Sequence, residues 1–413
     1  MMIKIICSAQ AYTYNAYHIV KAFYPAVEIA NHVEEKASNY VEINFSDGQV
    51  IAVEKEEIKA ETDAEKKAQI DKKLYEKLSE KSGKTLAWGI LTGVRPTKLA
   101  MKKLEEGMES EAFVSWFRQT YLVSEEKARL AWEIAGREKK LLDRLDYEDG
   151  YSLYVGIPFC PTVCTYCSFS SGALEDWKDF VDAYVEALCK ELAFIGEVSK
   201  EKKLNSIYIG GGTPTSLNAR QLERILSCID THFSREYLLE YTVEAGRPDS
   251  ITEEKLQVIK AHKVTRISIN PQTMQQKTLD VIGRKHTVED ICRTYEMARS
   301  LGFDNINMDL IAGLPGETAL DMKDTLEKIG RLQPDSLTVH SLAIKRAAKM
   351  GQEVKAGQEE GRESTLSPEI GEMIREAEKA ADDMGLKPYY LYRQKNIAGN
   401  FENVGYAKVD KAG

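Results

Sequence analysis

The sequence has no long uncharged apolar stretch. Its apolar runs are interrupted by charged residues well before the about 20 residues that a helix needs to cross a bilayer. The first residues, Met-Met-Ile-Lys-Ile-Ile-Cys, also lack the apolar length and the cleavage site of a signal peptide. We therefore predict a protein without a membrane span. The same absences argue against secretion.

Cysteine is also scarce, with seven residues in a chain of 413. Small secreted proteins that depend on disulfides use far more cysteine for their length, so a disulfide framework is not expected. Four of the seven are scattered along the chain and are typical of small buried residues: Cys7, Cys189, Cys228 and Cys292. The other three lie together and are considered below for their chemistry.

The rest of the composition is that of an ordinary globular protein. An apolar fraction of 43% is enough for a sizeable core, and the length predicts about two to three domains. The formal net charge of −9 argues against nucleic acid as the main partner, because surfaces that bind nucleic acid are basic. Composition therefore excludes some classes of function without identifying one.

Three cysteines lie within eight residues, at the spacing C-x3-C-x2-C: Cys160, Cys164 and Cys167. They follow a strand-like stretch at 152–157. Three thiolates on one short loop can hold three irons of a [4Fe–4S] cluster and leave the fourth iron open to another ligand. A structural zinc site would need a fourth Cys or His at finger-like spacing, and only Cys189, in a helical stretch, is near. The spacing therefore predicts a catalytic iron–sulfur cluster. The cytoplasm is the expected location, because such a cluster needs a reducing compartment.

Residues 1–147 form a pattern of their own, which predicts a separate N-terminal α+β domain. Its strand-like segments are Ile3–Cys7, Tyr40–Phe45 and Gln49–Val53. A charged helical stretch follows at 55–84, and two more helical segments end the domain. Between them, the stretch 89–98 with Arg95 and Lys98 either binds an anion or is an ordinary loop before a helix. Local physics favours the ordinary loop, and the role of the domain stays open.

From residue 151 the pattern changes to alternating strands and helices. The apolar strand-like runs are at 152–157, 204–209, 239–244, 264–269, 305–311 and 335–340. The helical patterns between them lie near 175–198, 219–233, 252–262, 287–301 and 318–331. Six strands joined by crossover helices predict a parallel sheet, curled into an incomplete (β/α)6 barrel over residues 148–350. Residues 351–413 are predicted to form a helical C-terminal segment.

Polar residues follow each of the six predicted strands where it ends. The cysteine loop follows the first strand, and Gly210-Gly-Gly-Thr-Pro-Thr215 follows the second, where glycines let the backbone approach a ligand and expose N–H groups to it. The later strands end at Glu244, before Gln272, at Asp309 and at His340. Because the carboxyl ends of parallel strands meet at one edge of the sheet, we predict that these residues line an active site there.

These motifs resemble the radical S-adenosylmethionine (SAM) superfamily, and within it the oxygen-independent coproporphyrinogen III oxidases. The resemblance is carried by Tyr154–Cys160 with the cysteine loop, Gly210–Thr215, Arg266–Gln272, Gly283–His286 and Asn307–Pro315. It covers residues 150–345, and two further stretches, Leu91–Lys98 and Tyr392–Ala407, resemble the HemZ-like branch. The resemblance implies a radical SAM barrel of the incomplete (β/α)6 type.

The resemblance further implies that a [4Fe–4S] cluster and S-adenosyl-L-methionine are the cofactors. Cys160, Cys164 and Cys167 would hold the cluster, and SAM would bind the open iron and yield a radical that abstracts hydrogen. The residues at SAM-binding positions are Tyr154, Tyr166, Gly211, Gly212, Thr213, Glu244, Gln272, Arg284 and Asp309. An arginine suits the SAM carboxylate because its planar guanidinium can donate two parallel hydrogen bonds to it. An ionised aspartate can accept hydrogen bonds from both ribose hydroxyls.

The implied reaction is the oxidative decarboxylation of coproporphyrinogen III propionates to give protoporphyrinogen IX in haem biosynthesis. The substrate carries several carboxylates, so a basic lining is expected. The candidates are Arg247, Arg266, Lys345, Arg346 and Arg393. The resemblance also implies a reductant protein such as flavodoxin or ferredoxin as a partner.

The chain departs from the family pattern in several places. The best-established members carry a further cysteine two positions after the third ligand, where this chain has Phe169, and Gly156 stands where a histidine is common. Related proteins without that cysteine include haem-binding chaperones, so haem binding is an alternative function, and radical chemistry on another substrate is a third. The family also continues well beyond the motif at Tyr406-Ala407, whereas this chain ends at Gly413, which predicts a truncated C-terminal segment.

Overall fold

A computed structural model of the protein describes residues 2–25, 27–93, 95–345, 347–355, 369–393 and 401–412. The chain groups into two compact units. The first comprises Met1–Arg137 and Leu391–Asn403, and the second comprises Glu138–Tyr390 and Val404–Gly413. The boundaries after residues 147 and 350, drawn from the sequence, stay predictions.

The first unit is built on a four-stranded sheet with two helices packed against it. Its strands are β1 (Met2–Cys7), β2 (Glu28–Val33), β3 (Asn39–Phe45) and β4 (Val50–Glu54), in the order β2-β1-β3-β4. The helices are α1 (Gln10–Phe23), α2 (Asp63–Ser82), α3 (Thr97–Glu105), α4 (Ser110–Tyr121) and α5 (Glu125–Leu142). Strand β1 is parallel to β2 and antiparallel to β3, and α1 makes the crossover that a parallel pair requires.

Alternating side chains bury one face of this sheet. Ile3, Ile5, Val41 and Ile43 are fully buried and belong to the same apolar cluster as Leu74 of α2. The sequence predicted the segments of β1, β3 and β4 but missed α1 and β2. Strand β2 is mostly exposed, so its sequence carries no alternation of buried and exposed residues by which it could be recognised.

The remaining elements belong to the second unit, except that Leu391 and Tyr392 of β13 and Asn403 of β14 fall in the first. Helix α5 also crosses the division, since its residues from Glu138 onward fall in the second unit. The strands are β5 (Gly150–Ile157), β6 (Phe159–Cys160), β7 (Gly172–Ala173), β8 (Lys203–Gly211), β9 (Glu240–Gly246), β10 (Arg266–Ile269), β11 (Ile306–Ala312), β12 (Ser336–Ser341), β13 (Lys387–Tyr392) and β14 (Asn403–Ala407). The helices are α6 (Leu174–Trp177), α7 (Val181–Val198), α8 (Ala219–His232), α9 (Glu253–Ala261), α10 (Gln276–Val281), α11 (Val288–Ser300), α12 (Ala319–Leu332), α13 (Lys349–Lys355) and α14 (Ile370–Asp383).

Six strands of the second unit form a parallel sheet in chain order, β5-β8-β9-β10-β11-β12. Strand β5 is one edge of this sheet, and among the described residues no strand joins it to the other edge. The other edge is extended by β14, antiparallel to β12, and then by β13. The sheet is therefore a curled, open half-barrel, and the prediction of an incomplete (β/α)6 barrel is confirmed.

Helices of the barrel begin at residues with strong capping side chains. Asn218 before α8 accepts a hydrogen bond from the N–H of Gln221, whose side chain accepts one from the N–H of Asn218. Thr318 and Asp321 make the same reciprocal pair at the start of α12, and Thr287 begins α11 in the same way. These caps fix where each loop between strand and helix ends, and those loops carry the residues of the predicted site.

The described part of 351–413 is not purely helical. Helix α14 packs against α12, and Val404–Ala407 of β14 pairs with Ser336–Val339 of β12. The prediction of a helical C-terminal segment is therefore incomplete, because this segment also extends the barrel sheet. Within the described ranges, no helix combines the length and the apolar character needed to cross a bilayer.

Candidate functional site

One face of the half-barrel sheet is lined by polar side chains. Val243 and Leu310 are at most 1% exposed, as are most apolar residues of the parallel strands. Successive side chains of a strand point to opposite faces, so Tyr208, Glu244 and Asp309 lie on the other face. Their electrostatic interactions with one another show that they converge there.

The cysteine loop lies beyond β5, at the carboxyl edge of this sheet. Cys160 and Cys164 are buried, Cys167 is half-buried, and all three are free thiols. The Cys167 N–H donates to the carbonyl of Cys164 over 3.0 Å, and the Thr165 N–H donates to the carbonyl of Ile282 over 3.1 Å. The loop is therefore folded on itself and tied to the turn that precedes Arg284.

The Gly-rich loop after β8 braces the cysteine loop. The N–H groups of Gly212 and Thr213 donate to the carbonyls of Ile157 and Phe159, each over 2.7 Å. The Thr213 hydroxyl lies 3.5 Å from the Cys160 sulfur. The expectation that exposed N–H groups of this loop would receive a ligand therefore does not hold for these two residues, because both groups already have backbone acceptors.

The glycines of this loop are required by close backbone approach. A Cβ at Gly212 would lie 2.5 Å from the carbonyl oxygen of Phe159 and 3.0 Å from the Cys160 sulfur. Gly211 has a φ of +109°, and a Cβ there would lie 2.8 Å from the carbonyl oxygen of Ile157. Any larger residue at either position would push the cysteine loop away from β8.

Arg284 is buried beside the cysteine loop. Its Nη1 donates to the carbonyl of Asn270, and its Nη2 lies 3.4 Å from the hydroxyl of Tyr166. Burial lowers the pKa of Arg284, but Tyr166 and Cys164 raise it by more, so the guanidinium stays charged. Burial also raises the pKa of the Tyr166 hydroxyl, which therefore stays protonated. A charged donor and a neutral hydroxyl thus stand next to the cysteine loop.

Several buried polar atoms near the end of β10 have no hydrogen-bond partner in the described part of the chain. They are Ser268 Oγ, Asn270 Oδ1 and Arg284 Nε. Buried polar atoms are nearly always satisfied in folded proteins, so three of them at one edge indicate a missing polar ligand. A molecule with an ammonium, a carboxylate and hydroxyl groups, such as SAM, fits this set of donors and acceptors.

No three Cys, His, Asp or Glu side chains of the described residues converge on a single metal-ion position. A [4Fe–4S] cluster does not require such convergence, because each thiolate binds a different iron. Three free thiols on one loop therefore fit a cluster, whereas a structural zinc site would need four ligands around one point.

Glu244 lies at the end of β9 within a group of tyrosines. The Tyr208 hydroxyl donates to its carboxylate, and the ring of Tyr154 stacks on that of Tyr208 with centroids 6.0 Å apart. A Cβ at Gly210 would lie 3.0 Å from the carboxylate, so the glycine leaves room for it. Burial raises the pKa of Glu244 to about 7, with a further contribution from Asp309. An ammonium group bound here would restore the ionised form.

Asp309 on β11 is held in its ionised form. Burial alone would raise its pKa, but its polar neighbours, His340 foremost and then Asn307 and Thr338, lower it below its ordinary value. Asn307 Nδ2 donates to Asp309 Oδ1 over 2.7 Å, and His340 Nε2 lies 3.9 Å from Oδ2. Asn307 is itself fixed by the Thr338 hydroxyl, which donates to its Oδ1 over 3.1 Å. The carboxylate is therefore positioned before any ligand binds.

Gln272 adopts a backbone conformation that is rare for a residue with a side chain. Its φ is +68°, in the left-handed region. Its N–H donates to the carbonyl of Asp309, and its own carbonyl accepts from the N–H of Ile311, each over 2.9 Å. Strain of about 1–3 kcal/mol is typical of such positions and is found most often at functional sites. This backbone conformation places Gln272 beside Asp309.

Two of the basic candidates for substrate binding are buried and contact other groups of the protein. Arg266 is the first residue of β10, at the opposite end of the strands, where it donates to the Tyr389 hydroxyl over 3.0 Å. Arg393 belongs to the first unit, where it donates to the carbonyl of Leu91 over 2.8 Å. Both guanidiniums are buried, and Arg266 also interacts electrostatically with Tyr208 of the polar face. Binding of a substrate carboxylate by either residue stays a prediction.

The other basic candidates have different outcomes. Arg247 is 3% exposed, and all its donor nitrogens face protein atoms, so it cannot bind a substrate carboxylate as expected. Lys345 is half-buried and stays a candidate. Arg346 lies outside the described residues.

Sequence reasoning missed Tyr208, Asp249 and His286. Tyr208 lies two residues before Gly210, so the alternation of β8 could have placed it on the polar face. His286 lies in the motif Gly283–His286 but had no role assigned to it. Asp249 carries no sequence signal, because its significance depends on its contacts with Arg247 and His286.

The raised pKa of Glu244 predicts a pH-dependent cost to stability. The folded state holds this proton with a pKa of about 7 rather than the ordinary 4.5, so stability falls as pH rises between these values. We expect Glu244→Gln to remove that dependence, worth up to about 3 kcal/mol. Melting temperatures of the cofactor-free proteins at about pH 5 and pH 8 check this. An equal difference between variant and wild type at both pH values would contradict it.

A family model described as the Radical SAM superfamily matches residues 154–329. The chain is 44% identical over 334 residues to the oxygen-independent coproporphyrinogen-III oxidase-like protein HemZ of Bacillus subtilis (strain 168), covering 80% of this chain and 66% of HemZ. It is 36% identical over 194 residues to the heme chaperone HemW of the same organism, covering 47% of this chain and 50% of HemW. The chain thus spans half to just under two thirds of these curated relatives.

Among solved structures, the coproporphyrinogen III oxidase HemN from Escherichia coli, a radical SAM enzyme, is similar to this chain. The TM-score is 0.52 at 24% sequence identity, and the similarity covers 65% of this chain and 58% of HemN. At this level of identity the similarity supports a common fold and no more. The half-barrel fold therefore has a solved counterpart.

Proposed function

Because the chain belongs to the radical SAM superfamily, we propose that it is a radical enzyme of haem biosynthesis that oxidatively decarboxylates the propionates of coproporphyrinogen III. The observation that carries the radical part is the loop of three free thiols beside three unpartnered buried polar atoms. The substrate part rests on the 44% identity to the coproporphyrinogen-III oxidase-like HemZ.

In this proposal the cysteine loop holds the cluster, and residues at the ends of the neighbouring strands bind SAM. Cys160, Cys164 and Cys167 would bind the [4Fe–4S] cluster. When bound, the cluster and SAM supply an electron and a radical that abstracts hydrogen. In this proposal the Arg284 guanidinium, with its unpartnered Nε, binds the SAM carboxylate bidentately, and the ionised Asp309 accepts the ribose hydroxyls.

Other residues would orient SAM and exclude water from it. Glu244 would accept the ammonium group, which converts it to the carboxylate, and Tyr154 and Tyr166 would pack against the flat parts of the molecule. Gln272, held beside Asp309 by its backbone, would add an amide contact. Gly211, Gly212 and Thr213 would act mainly by holding Cys160 in place.

Anaerobic incubation tests this proposal. Reconstituted protein, SAM, dithionite and coproporphyrinogen III are incubated, and the products are followed by mass spectrometry. We expect one 5′-deoxyadenosine for each CO2 lost from the porphyrinogen, hence two for each protoporphyrinogen IX, and neither product when SAM is omitted. Dithionite makes the result independent of a reductant protein, which we propose to be flavodoxin or ferredoxin in the cell. Deoxyadenosine without decarboxylated product would contradict the proposal that coproporphyrinogen III is the substrate. It would still support the proposal that the protein generates a radical from SAM.

Haem binding is the second candidate function. It is favoured by the 36% identity to the heme chaperone HemW and by Phe169, which is 73% exposed and stands where the oxidases carry a further cysteine. A haem titration that saturates at one haem per chain, in a protein that decarboxylates nothing, would support it. Absence of haem binding would leave the oxidase proposal as the only one of the two.

A further inference from the structure

The guanidinium of Arg247 is fixed against the cysteine loop. Its Nη1 donates to the carbonyl of Thr162 over 2.7 Å and to the Thr162 hydroxyl over 2.8 Å, and lies 3.7 Å from the sulfur of Cys164. Its Nε and Nη2 donate to the two carboxylate oxygens of Asp249 over 2.9 and 2.6 Å. The side chain is therefore clamped from two sides and cannot swing away from Cys164.

Asp249 also lies beside a buried histidine. His286 is 1% exposed, and its Nδ1 lies 3.7 Å from Asp249 Oδ1. Burial would raise the pKa of Asp249, but His286 and Arg247 together hold it far below its ordinary value. Asp249 therefore stays ionised and keeps the guanidinium oriented towards the sulfur.

Charge is distributed unevenly over the three thiols. Cys164 and Cys167 both interact with Arg284, but only Cys164 also lies beside Arg247 among the described contacts. Cys160 lies beside the neutral hydroxyl of Thr213. Hydrogen bonds to the ligating sulfurs and the net charge around a cluster set its reduction potential. A buried N–H donor on one sulfur stabilises the added negative charge of the reduced cluster, because the local dielectric is low.

We propose that Arg247 is a positioning residue that raises the reduction potential of the cluster through its N–H contact with Cys164, with Asp249 holding the guanidinium in place. This inference rests on the proposed function, since it takes the cluster to be bound at the cysteine loop. It assigns Arg247 a role in electron uptake in place of the expected role in substrate binding.

A redox titration of the reconstituted protein, monitored by electron paramagnetic resonance without SAM or substrate, tests the inference. We expect Arg247→Gln to shift the midpoint potential to more negative values. Asp249→Asn keeps the arginine but loosens it, so a smaller shift of the same sign is expected. The matched control is Arg299→Gln, which removes another arginine paired with a buried aspartate, Asp335, in the same unit, and should leave the potential unchanged.

The outcomes separate the inference from the proposed function. Wild-type potential in both cluster-containing variants would overturn the inference and leave the proposed function intact. If Arg247→Gln takes up no iron, the midpoint potential of Asp249→Asn alone tests the inference. A more negative potential supports it, and the wild-type potential overturns it. A wild-type protein that binds no cluster would instead refute the proposed function, and that is seen before any variant is titrated.

Discussion

Replacing Cys164 with alanine is expected to abolish the brown colour and the iron content of the anaerobically reconstituted protein. Cys164 is 8% exposed and lies between Cys160 and Cys167 on a loop whose backbone is fixed by hydrogen bonds. Two thiolates cannot hold a cube of four irons that needs three ligands from this loop. The loss should therefore be nearly complete, and visible absorbance together with iron and sulfide assays measures it.

The control for this experiment is Cys292→Ala. Cys292 is a half-buried free thiol on α11 and lies on a helix of the barrel away from the cysteine loop. It should keep the full iron content. Loss of one buried sulfur costs about 1 kcal/mol, so similar melting temperatures of the cofactor-free variants exclude misfolding as the cause. Wild-type iron content in Cys164→Ala would refute the assignment of the cluster to this loop.

The barrel was predictable from the sequence because its strands are short apolar runs separated by amphipathic helices. The segments 305–311 and 335–340 agree within one residue with Ile306–Ala312 and Ser336–Ser341. Helix α10 was missed because it has only six residues, too few to show a helical period. The carboxyl-edge residues were predictable for a related reason, since parallel strands must bring their ends together.

The groups that the arginine side chains contact could not be predicted from the sequence. Arg247 contacts Thr162 from 85 positions away in sequence, and Arg266 contacts Tyr389 from 123 positions away. A long side chain can reach acceptors on several elements, and nothing in its local sequence says which one it meets. The same holds for the N–H groups of Gly212 and Thr213, whose acceptors are set by the packing of β8 against β5.

Asp309→Asn is expected to weaken SAM binding by about 1.5–3 kcal/mol, roughly a 10- to 150-fold increase in Kd, because hydrogen bonds to a charged group are worth that much. The carboxylate is fixed by Asn307 and kept ionised by its neighbours, so it can accept two hydroxyls at little cost in ordering. An amide has one acceptor oxygen and places donor hydrogens against one of the hydroxyls. Equilibrium dialysis of labelled SAM against cluster-containing protein measures the change.

Iron content should stay at the wild-type level in Asp309→Asn, because the residue contacts none of the three cysteines among its described interactions. This separates it from Arg284→Gln, which would remove the SAM carboxylate partner and also a support of the cysteine loop. Asp335→Asn is the matched control: it removes another buried, ion-paired carboxylate of the barrel, so it should lower the melting temperature and keep the wild-type Kd for SAM. An unchanged Kd in Asp309→Asn would place the ribose hydroxyls elsewhere on the polar face. An equal loss in both variants would mean that the barrel's stability, and not a contact with Asp309, governs SAM binding.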